Sequence, residues 1–355
     1  MTQVQYQAID KTVDSAINSR NNMGDISDNA GHSNISVTGQ ATEQDIVFAK
    51  IQFGPSALGL NDKIELSCGL QTLGNNTAEI WTNNNQMIFG QADNLGWCHD
   101  EQTFFAALLV DEETSVLSKD SNKQYESIIE NAYLRLLSLL AEHQFKNIAR
   151  MWNYIPRINE GDGDLERYKQ FSSGRFKAFQ AMQYAASEFP AACALGHFGD
   201  KTVIYLLASK NTTRNFENPK QTEAYQYPRE YGVFSPSFAR ATLLENDRLS
   251  TLFISGTASI TGSQSQHIDS LEQQMQLSCS NISTLIKHIE SQLDNRAGIK
   301  PSSFKVYLRN KDHYQSAKQL LKNYWSDDIT TVFTHADICR QELLVEIEAI
   351  CQIAP

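Results

Sequence analysis

One order of apolar patterns occurs twice along this chain of 355 residues and constrains its fold more than any other feature. Each half shows a strand pattern, a long amphipathic helix, a strand, a second helix and a closing strand. Alternating or continuous apolar residues indicate the strands, and apolar residues at three- and four-residue steps indicate the helices. Two similar units, each a mixed sheet with helices packed on one face, predict an α+β fold.

The predicted elements match in type and order between the halves, with little residue identity. In the first half they are a strand at 46–54, a helix at 123–144, a strand at 147–159, a helix at 165–187 and a pair of strands within 191–209. In the second half they are a strand at 251–260, a helix at 267–293, a strand at 304–310, a helix at 312–325 and a strand at 342–354.

Composition divides the chain into three segments. Residues from about 11 to 44 are rich in Asn, Ser, Asp and Gly, so they cannot offset the entropy lost on ordering. Residues 1–45 are therefore predicted to form a flexible N-terminal arm. The two units are predicted at 46–215 and 216–355, and the polar stretch at 211–230 is predicted to be a linker.

Charge and composition exclude several classes of function. A net charge of -11 opposes affinity for nucleic acid, and no apolar run approaches the roughly 18 residues of a membrane span. The first residues carry no export signal, so the cytoplasm is the expected compartment. The six cysteines lie apart without a C-x-x-C pair, which predicts reduced thiols and no zinc site. The sequence also lacks nucleotide-binding and hydrolase motifs, so we expect neither metal nor cofactor.

Three stretches of the second half resemble the Rid/YjgF domain, a small α+β unit related in shape to the chorismate mutase fold. They are FISGTAS at 253–259, the helix that opens at His267, and CRQELLVEIEA at 339–349. The resemblance implies a fold for each unit more than it implies an activity.

The first half resembles the chorismatases, which include bacterial 3-hydroxybenzoate and 4-hydroxybenzoate synthases. The segments that carry this resemblance are RMWNYIPRIN at 150–159, ERYKQF at 166–171, GRFKAF at 174–179 and SPSFARA at 235–241. The resemblance spans about 46–354. It implies a cofactor-independent enzyme of secondary metabolism that releases pyruvate from chorismate and forms a hydroxybenzoate. Either isomer, and either a monomer or a homotrimer, is compatible with it.

Two other functions stay open from the sequence. A Rid-like enamine or imine hydrolase would use the strand of the second unit that carries Glu346, and its activity would survive loss of the first unit. A non-catalytic protein that binds small molecules could have kept the fold, because a fold alone does not fix a function.

The reaction implied by the resemblance needs an acid that is protonated at neutral pH. Glu346 and Glu348 lie two residues apart in an apolar strand pattern, so both side chains face the same side of the sheet. Burial keeps such a carboxyl neutral because it disfavours the charged form. The resemblance identifies Glu346 as the catalytic acid, and a solvated glutamate on the sheet surface is the alternative.

Chorismate is a dianion, and arginine is suited to it because a guanidinium group binds a carboxylate through two hydrogen bonds. Several arginines, Arg175 among them, stand in the matched motifs, and one more follows the residues VYL near the end of the strand predicted at 304–310. Ion pairing at the surface is the alternative role for each. The expected substrate-binding residues are Arg150, Tyr154, Arg157, Arg240, Arg309 and, at the ring, Gly256.

Gly256 and Cys339 are expected to steer the outcome of the reaction. The resemblance places them where chorismatase subtypes differ, and a small residue with a cysteine is similar to the benzoate-forming types. In that route a hydroxyl of the substrate attacks the ring in place of water. The thiol of Cys339 is expected to orient or transfer a proton while the pocket wall excludes solvent; simple packing is its alternative role.

Overall fold

The computed structural model describes residues 3–8, 46–60, 62–112, 124–247, 249–293 and 298–353. Four helices lie in these ranges: α1 (Gln124–Glu142), α2 (Arg167–Ala181), α3 (Leu271–Gln292) and α4 (Tyr314–Lys322). Each begins and ends within six residues of its predicted bounds. None of the helices in the described ranges is both long enough and apolar enough to cross a bilayer.

The same ranges contain 20 strands, several of them far shorter than the predicted ones. They are β1 (Gln3–Ala8), β2 (Ile46–Gln52), β3 (Ala57–Leu60), β4 (Ile64–Ser67), β5 (Gln71–Thr72), β6 (Asn76–Asn83), β7 (Ile88–Ala92), β8 (Leu95–His99), β9 (Thr103–Val110), β10 (Asn147–Pro156), β11 (Ala191–His197), β12 (Thr202–Ser209), β13 (Thr213–Phe216), β14 (Ala241–Leu244), β15 (Ser250–Ala258), β16 (Ile260–Thr261), β17 (Gln264–Ser265), β18 (Pro301–Leu308), β19 (Thr330–His335) and β20 (Val345–Ile353).

Two large sheets each carry helices on one face. The first has the strand order β11-β10-β12-β9-β8-β7, and Met151 and Ile155 of β10 pack in one core cluster with residues of α1 and α2. The second has the order β13-β14-β15-β20-β18-β19-β5, and Ile347 and Cys351 of β20 pack with residues of α3 and α4. Alternate residues of each strand point to the helices because side chains alternate across a sheet. This architecture confirms the predicted α+β class with two helix-packed units.

A third sheet, with the order β1-β6-β2-β4-β3, was predicted only at its strand β2. Phe48, Ile51 and Trp81 of this sheet join the core cluster between the two large sheets. The short β5, which lies between β4 and β6 in the chain, pairs instead with β19 of the second large sheet. The N-terminal segment therefore contributes to the packing of both units.

The first residues of the predicted arm differ from the expectation. Gln3–Ala8 form β1 and pair antiparallel with β6, from Gln3 opposite Thr82 onwards. The sequence QVQYQA alternates polar and apolar residues, which suits an edge strand. Residues 9–45, the rest of the predicted arm, lie outside the described residues. Farther along, β13 begins the second large sheet inside the predicted linker.

The helix-free faces of the two large sheets meet at the centre of the molecule. Trp152 of β10 lies opposite Tyr205 of β12, and their rings stack at 4.7 Å. The backbone N–H of Ala192 in β11 donates to Ser255 Oγ in β15 at 2.8 Å, which joins the sheets at one edge. This contact brings the start of β20 beside α2 and β11.

Candidate active site

A pocket opens where α2, β11, β15, the start of β20 and the segment at 227–240 converge. Its wall includes Tyr168 and Arg175 from the first unit, and Arg240, Gly256 and Glu346 from the second. The pocket is therefore formed only when both units are folded against each other.

Glu346 presents its carboxyl to this pocket from the inner face of β20. Its neighbours Val345 and Ile347 point the other way, into the core beneath α3. The residue is 4% exposed, and no described side chain forms a hydrogen bond or ion pair with it. Burial, followed by the nearby carboxylate of Glu348, raises the pKa of Glu346 to about 8. Glu346 is consequently an acid, not a carboxylate, at neutral pH.

Glu348, two residues farther along the same face, is in the opposite state. Its carboxylate accepts hydrogen bonds from Arg150 Nη2 at 2.6 Å and Trp152 Nε1 at 3.0 Å, and Lys305 Nζ lies at 3.1 Å. Burial opposes its ionisation, but Lys305 and Arg150 outweigh burial and lower the pKa of Glu348 to about 2. Two carboxyls on one strand thus hold different protonation states, a pattern typical of acid-base sites.

A bulge in β15 makes room for the Glu346 side chain. The pairing of β15 with β20 shifts register between Ile254 and Thr257, and such bulges redirect side chains near active sites. Within the bulge, Ser255 Oγ donates to the carbonyl of Ala239 at 2.6 Å. A Cβ atom at Gly256 would lie 1.8 Å from Glu346 Oε1. The glycine is therefore required if the carboxyl is to keep this position.

Arg175 is a buried cation in the same pocket. Tyr168, Ser172 and Arg175 occupy one stripe of α2 and face the pocket. Arg175 is 3% exposed, forms no ion pair with a described carboxylate, and has no partner at Nε. Its guanidinium contacts aromatic rings, including that of Tyr133 at 5.5 Å. Burying a charge without a counterion is costly, so this arrangement favours a negatively charged ligand.

Two more guanidinium groups complete the cationic wall. Arg240 donates from Nη2 to Tyr227 Oη at 2.7 Å and leaves its Nε without a partner. Arg340 donates from Nη1 to the carbonyl of Ser263 at 2.8 Å and stacks over the ring of Tyr231 at 3.9 Å. Neither arginine pairs with a carboxylate in the described part of the chain. Together with Arg175 they can bind a ligand that carries two negative charges.

Cys339 lies in the pocket wall beside these groups. Loss of solvent around the sulfur and the nearby Glu346 raise the pKa of the Cys339 thiol to about 12. The residue is therefore a thiol at neutral pH and can donate a weak hydrogen bond, but it is not an activated nucleophile.

Residues 79–208 match the family model described as chorismatase FkbO/Hyg5-like, N-terminal. A 3-hydroxybenzoate synthase of Streptomyces hygroscopicus is 32% identical over 285 residues, which cover 77% of this chain and 81% of the relative. The chain belongs to the chorismatase family.

Two further matches extend the family assignment to the fold. A chorismatase of Streptomyces rapamycinicus is 29% identical over 284 residues, covering 77% of this chain and 81% of that protein. A crystal structure of a chorismatase superposes with a TM-score of 0.77 at 26% identity, covering 86% of this chain and 92% of the other. The chain thus shares the chorismatase fold over most of its length.

Four of the predicted site residues meet in the pocket of this chorismatase: Arg240, Gly256, Cys339 and Glu346. The other four lie elsewhere. Arg150 forms the ion pair with Glu348, and the Tyr154 hydroxyl lies 3.1 Å from that of Tyr307 inside the core. Arg157 extends to the surface and pairs with Glu160 at 2.9 Å. Arg309 pairs with Asp337 at 2.7 Å.

Arg340 had no predicted role, and Arg175 was not among the expected substrate-binding residues. Arg175 had a usable signal, because it lies on a predicted helix at four- and three-residue steps from Tyr168 through Ser172. Arg340 had no periodic signal, since it lies in an irregular segment between β19 and β20, although it follows Cys339 in the motif at 339–349. Its place in the pocket depends on contacts with Ser263 and Tyr231, which are distant in sequence.

Proposed function

We propose that this protein converts chorismate to hydroxybenzoate and pyruvate, with Glu346 as the proton donor. One observation carries the proposal: a buried carboxyl that is neutral at pH 7 faces a pocket lined by guanidinium groups, and among the described residues neither the carboxyl nor these groups form an ion pair. The relative named 3-hydroxybenzoate synthase supports the 3-isomer among the products.

The charges of the substrate suit the charges of the pocket. Chorismate carries one carboxylate on its ring and one on its enolpyruvyl group, and Arg175, Arg240 and Arg340 supply guanidinium groups for both. The protein as a whole has a net charge of -11. Local placement of buried arginines, and not the overall field, therefore provides the attraction for a dianion.

The reaction begins when Glu346 transfers its proton to the methylene carbon of the enol ether. The resulting oxocarbenium ion makes the ether oxygen a good leaving group, and the bond from that oxygen to the ring breaks to give pyruvate. The neighbouring ring hydroxyl, in place of water, attacks the carbon that the ether oxygen leaves and forms a protonated epoxide. One C–O bond of the epoxide then breaks, and loss of the C–H proton from the carbon that keeps the oxygen makes the ring aromatic. That proton restores the acid form of Glu346, so no water is consumed and all atoms balance.

The direct test is incubation of the purified protein with chorismate, without added metal or nucleotide. We expect pyruvate and hydroxybenzoate in equal amounts. Lactate dehydrogenase and NADH, added after the reaction has been stopped, measure pyruvate, and chromatography separates 3-hydroxybenzoate, 4-hydroxybenzoate and the dihydroxycyclohexadiene acid. The absence of pyruvate would rule out the proposed activity, and the dihydroxy acid as main product would indicate a hydrolase.

Variants at Gly256 and Cys339 are expected to change the products more than the rate. A methyl group at 256 has to displace the flexible end of Glu346, which shifts the point of proton transfer relative to the ring. Replacing Cys339 by alanine removes the thiol from the pocket wall and leaves space for water. We expect both Gly256→Ala and Cys339→Ala to alter the ratio of the isomers and of the hydrolysis product. An unchanged product mixture in both variants would contradict this steering role.

A single chain forms the whole pocket, so we propose that activity does not depend on whether the protein is a monomer or a homotrimer. We also propose that it acts in the cytoplasm. Six free cysteines, five of them buried, support a reducing compartment.

A further inference from the structure

Glu348 is a fully bonded carboxylate that does not line the pocket. Its side chain is 6% exposed, and its two oxygens are taken by Arg150, Trp152 and Lys305. Glu346, which does line the pocket, makes no such bond within the described residues. The difference in bonding, more than the difference in burial, separates these two glutamates.

The bonds of Glu348 belong to a network that joins all three sheets. Lys305 of β18 forms a second ion pair with Glu79 of β6, and both side chains are 1% exposed. Lys305 Nζ also lies 3.4 Å from the hydroxyl of Tyr154 in β10. The network is therefore rigidly placed, because each charged group in it is held by at least one partner on another strand.

Other charges act on Glu346 from the pocket and from the neighbouring strands. From the strand beside it, Tyr307 lies directly opposite in register. The remaining polar and titratable groups that face this region come from α2, β10, β11 and the segments before β14 and β20: Tyr168, Arg175, Arg150, Cys193, Tyr227, Arg240, Cys339 and Arg340. The arginines in this set favour ionisation of Glu346. Among the groups named here and the neighbours of Glu346 on β20, Glu348 is the carboxylate whose negative charge opposes that ionisation.

We propose that Glu348 is a positioning residue of the reaction: held as a carboxylate by Arg150, Trp152 and Lys305, it keeps Glu346 in the acid form that donates the proton. This inference rests on the proposed function, since it assigns the control of the same proton donor. The buried network then has a part in the chemistry, although none of its side chains lines the pocket. It acts on the pocket through β20, the strand that carries both Glu346 and Glu348.

The test compares the pH dependence of kcat/KM in wild type, Glu348→Gln and Glu348→Asp. In wild type kcat/KM falls as pH rises through about 8, because Glu346 loses its proton there. Glutamine at 348 removes the negative charge about two strand residues away, so the alkaline limb should move down by roughly one to two pH units. Near pH 8 this is a loss of roughly 5- to 50-fold in kcat/KM.

Aspartate at 348 keeps the charge and should keep the limb near its wild-type position, even where kcat falls. A purely structural role would give the two variants the same limb. Glu348→Gln leaves Lys305 with one carboxylate partner fewer. The double variant Glu348→Gln with Lys305→Met removes this cation as well, and the alkaline limb of its pH profile should also move down. Glu101→Gln changes the same charge at an exposed site and should leave the profile unchanged.

An unshifted limb in the glutamine variants, or an equal shift in the aspartate variant, would overturn the proposal. Infrared difference spectra of wild type minus Glu346→Gln, recorded across pH, follow the protonated carboxyl without any substrate. When Glu348 is replaced by glutamine, the pH at which the signal of the protonated carboxyl disappears should fall by as much as the alkaline limb of kcat/KM. If wild type released no pyruvate, the proposed function would fail, and this spectrum would still decide the role of Glu348.

Discussion

Replacing Glu346 by glutamine is expected to reduce pyruvate release from chorismate by about 10³-fold or more, in the upper part of the range for a lost general acid. Glutamine has nearly the same shape as the neutral glutamic acid but has no proton to give to carbon. The arginines of the pocket are untouched by the change, so the variant should still bind chorismate. Measurement of pyruvate release, together with calorimetric titration of chorismate into the variant, separates the loss of chemistry from a loss of binding.

The stability of the Glu346→Gln variant provides its internal control. The pKa of Glu346 is about 8 in the folded protein and 4.5 in a solvent-exposed reference, so the folded state retains a proton that the unfolded chain releases between these values. The free energy of unfolding of wild type therefore falls as pH rises from about 4.5 to about 8, and the variant lacks this contribution. The Tm of the variant relative to wild type should rise over this interval. Glu142→Gln makes the same change at an exposed glutamate and is the matched control. A near wild-type rate of pyruvate release in Glu346→Gln would show that another group is the acid.

The local part of this site could be predicted from the sequence because strand and helix periods are local. Alternation along β20 placed Glu346 and Glu348 on one face, and both lie on the inner face in the structure. The long helices were located for the same reason, since their apolar repeats extend over several turns. Such patterns determine which face a side chain occupies, but not what it meets there.

The partners of these side chains could not be predicted, because they are distant along the chain. Arg150 and Glu348 are separated by 198 residues, and no pattern in either segment encodes their pairing. The binding role of Arg150 was predicted from its charge and its place in the matched motif, whereas in the structure its Nη2 already pairs with a buried carboxylate. Part of the third sheet escaped prediction for another reason: strands as short as β3 and β4, with four residues each, are too short to show a period.

Replacing Arg175 by methionine is expected to lower kcat/KM for chorismate by roughly 10²-fold, since a charge-assisted hydrogen bond to a desolvated carboxylate is worth about 3 kcal/mol. The same change should raise the Tm. Arg175 is buried, pairs with no carboxylate in the ranges that the structure describes, and already contacts Met151 Sδ at 3.8 Å. Exchange of this cation for an apolar chain of similar length removes an uncompensated charge from the interior. Steady-state kinetics and thermal unfolding of the same preparation measure both effects.

The opposite signs of these two effects identify Arg175 as a residue kept for binding, because loss of a purely structural residue lowers activity and stability together. Arg175→Lys keeps the charge without the planar fork and should fall between wild type and the methionine variant in kcat/KM. Arg229→Met serves as the matched control, since Arg229 pairs with Asp164 at the exposed surface. Because Arg175 belongs to the first unit, full activity in Arg175→Met would point instead to chemistry confined to the second unit. A lowered Tm with unchanged kcat/KM would exclude the proposed anion-binding role.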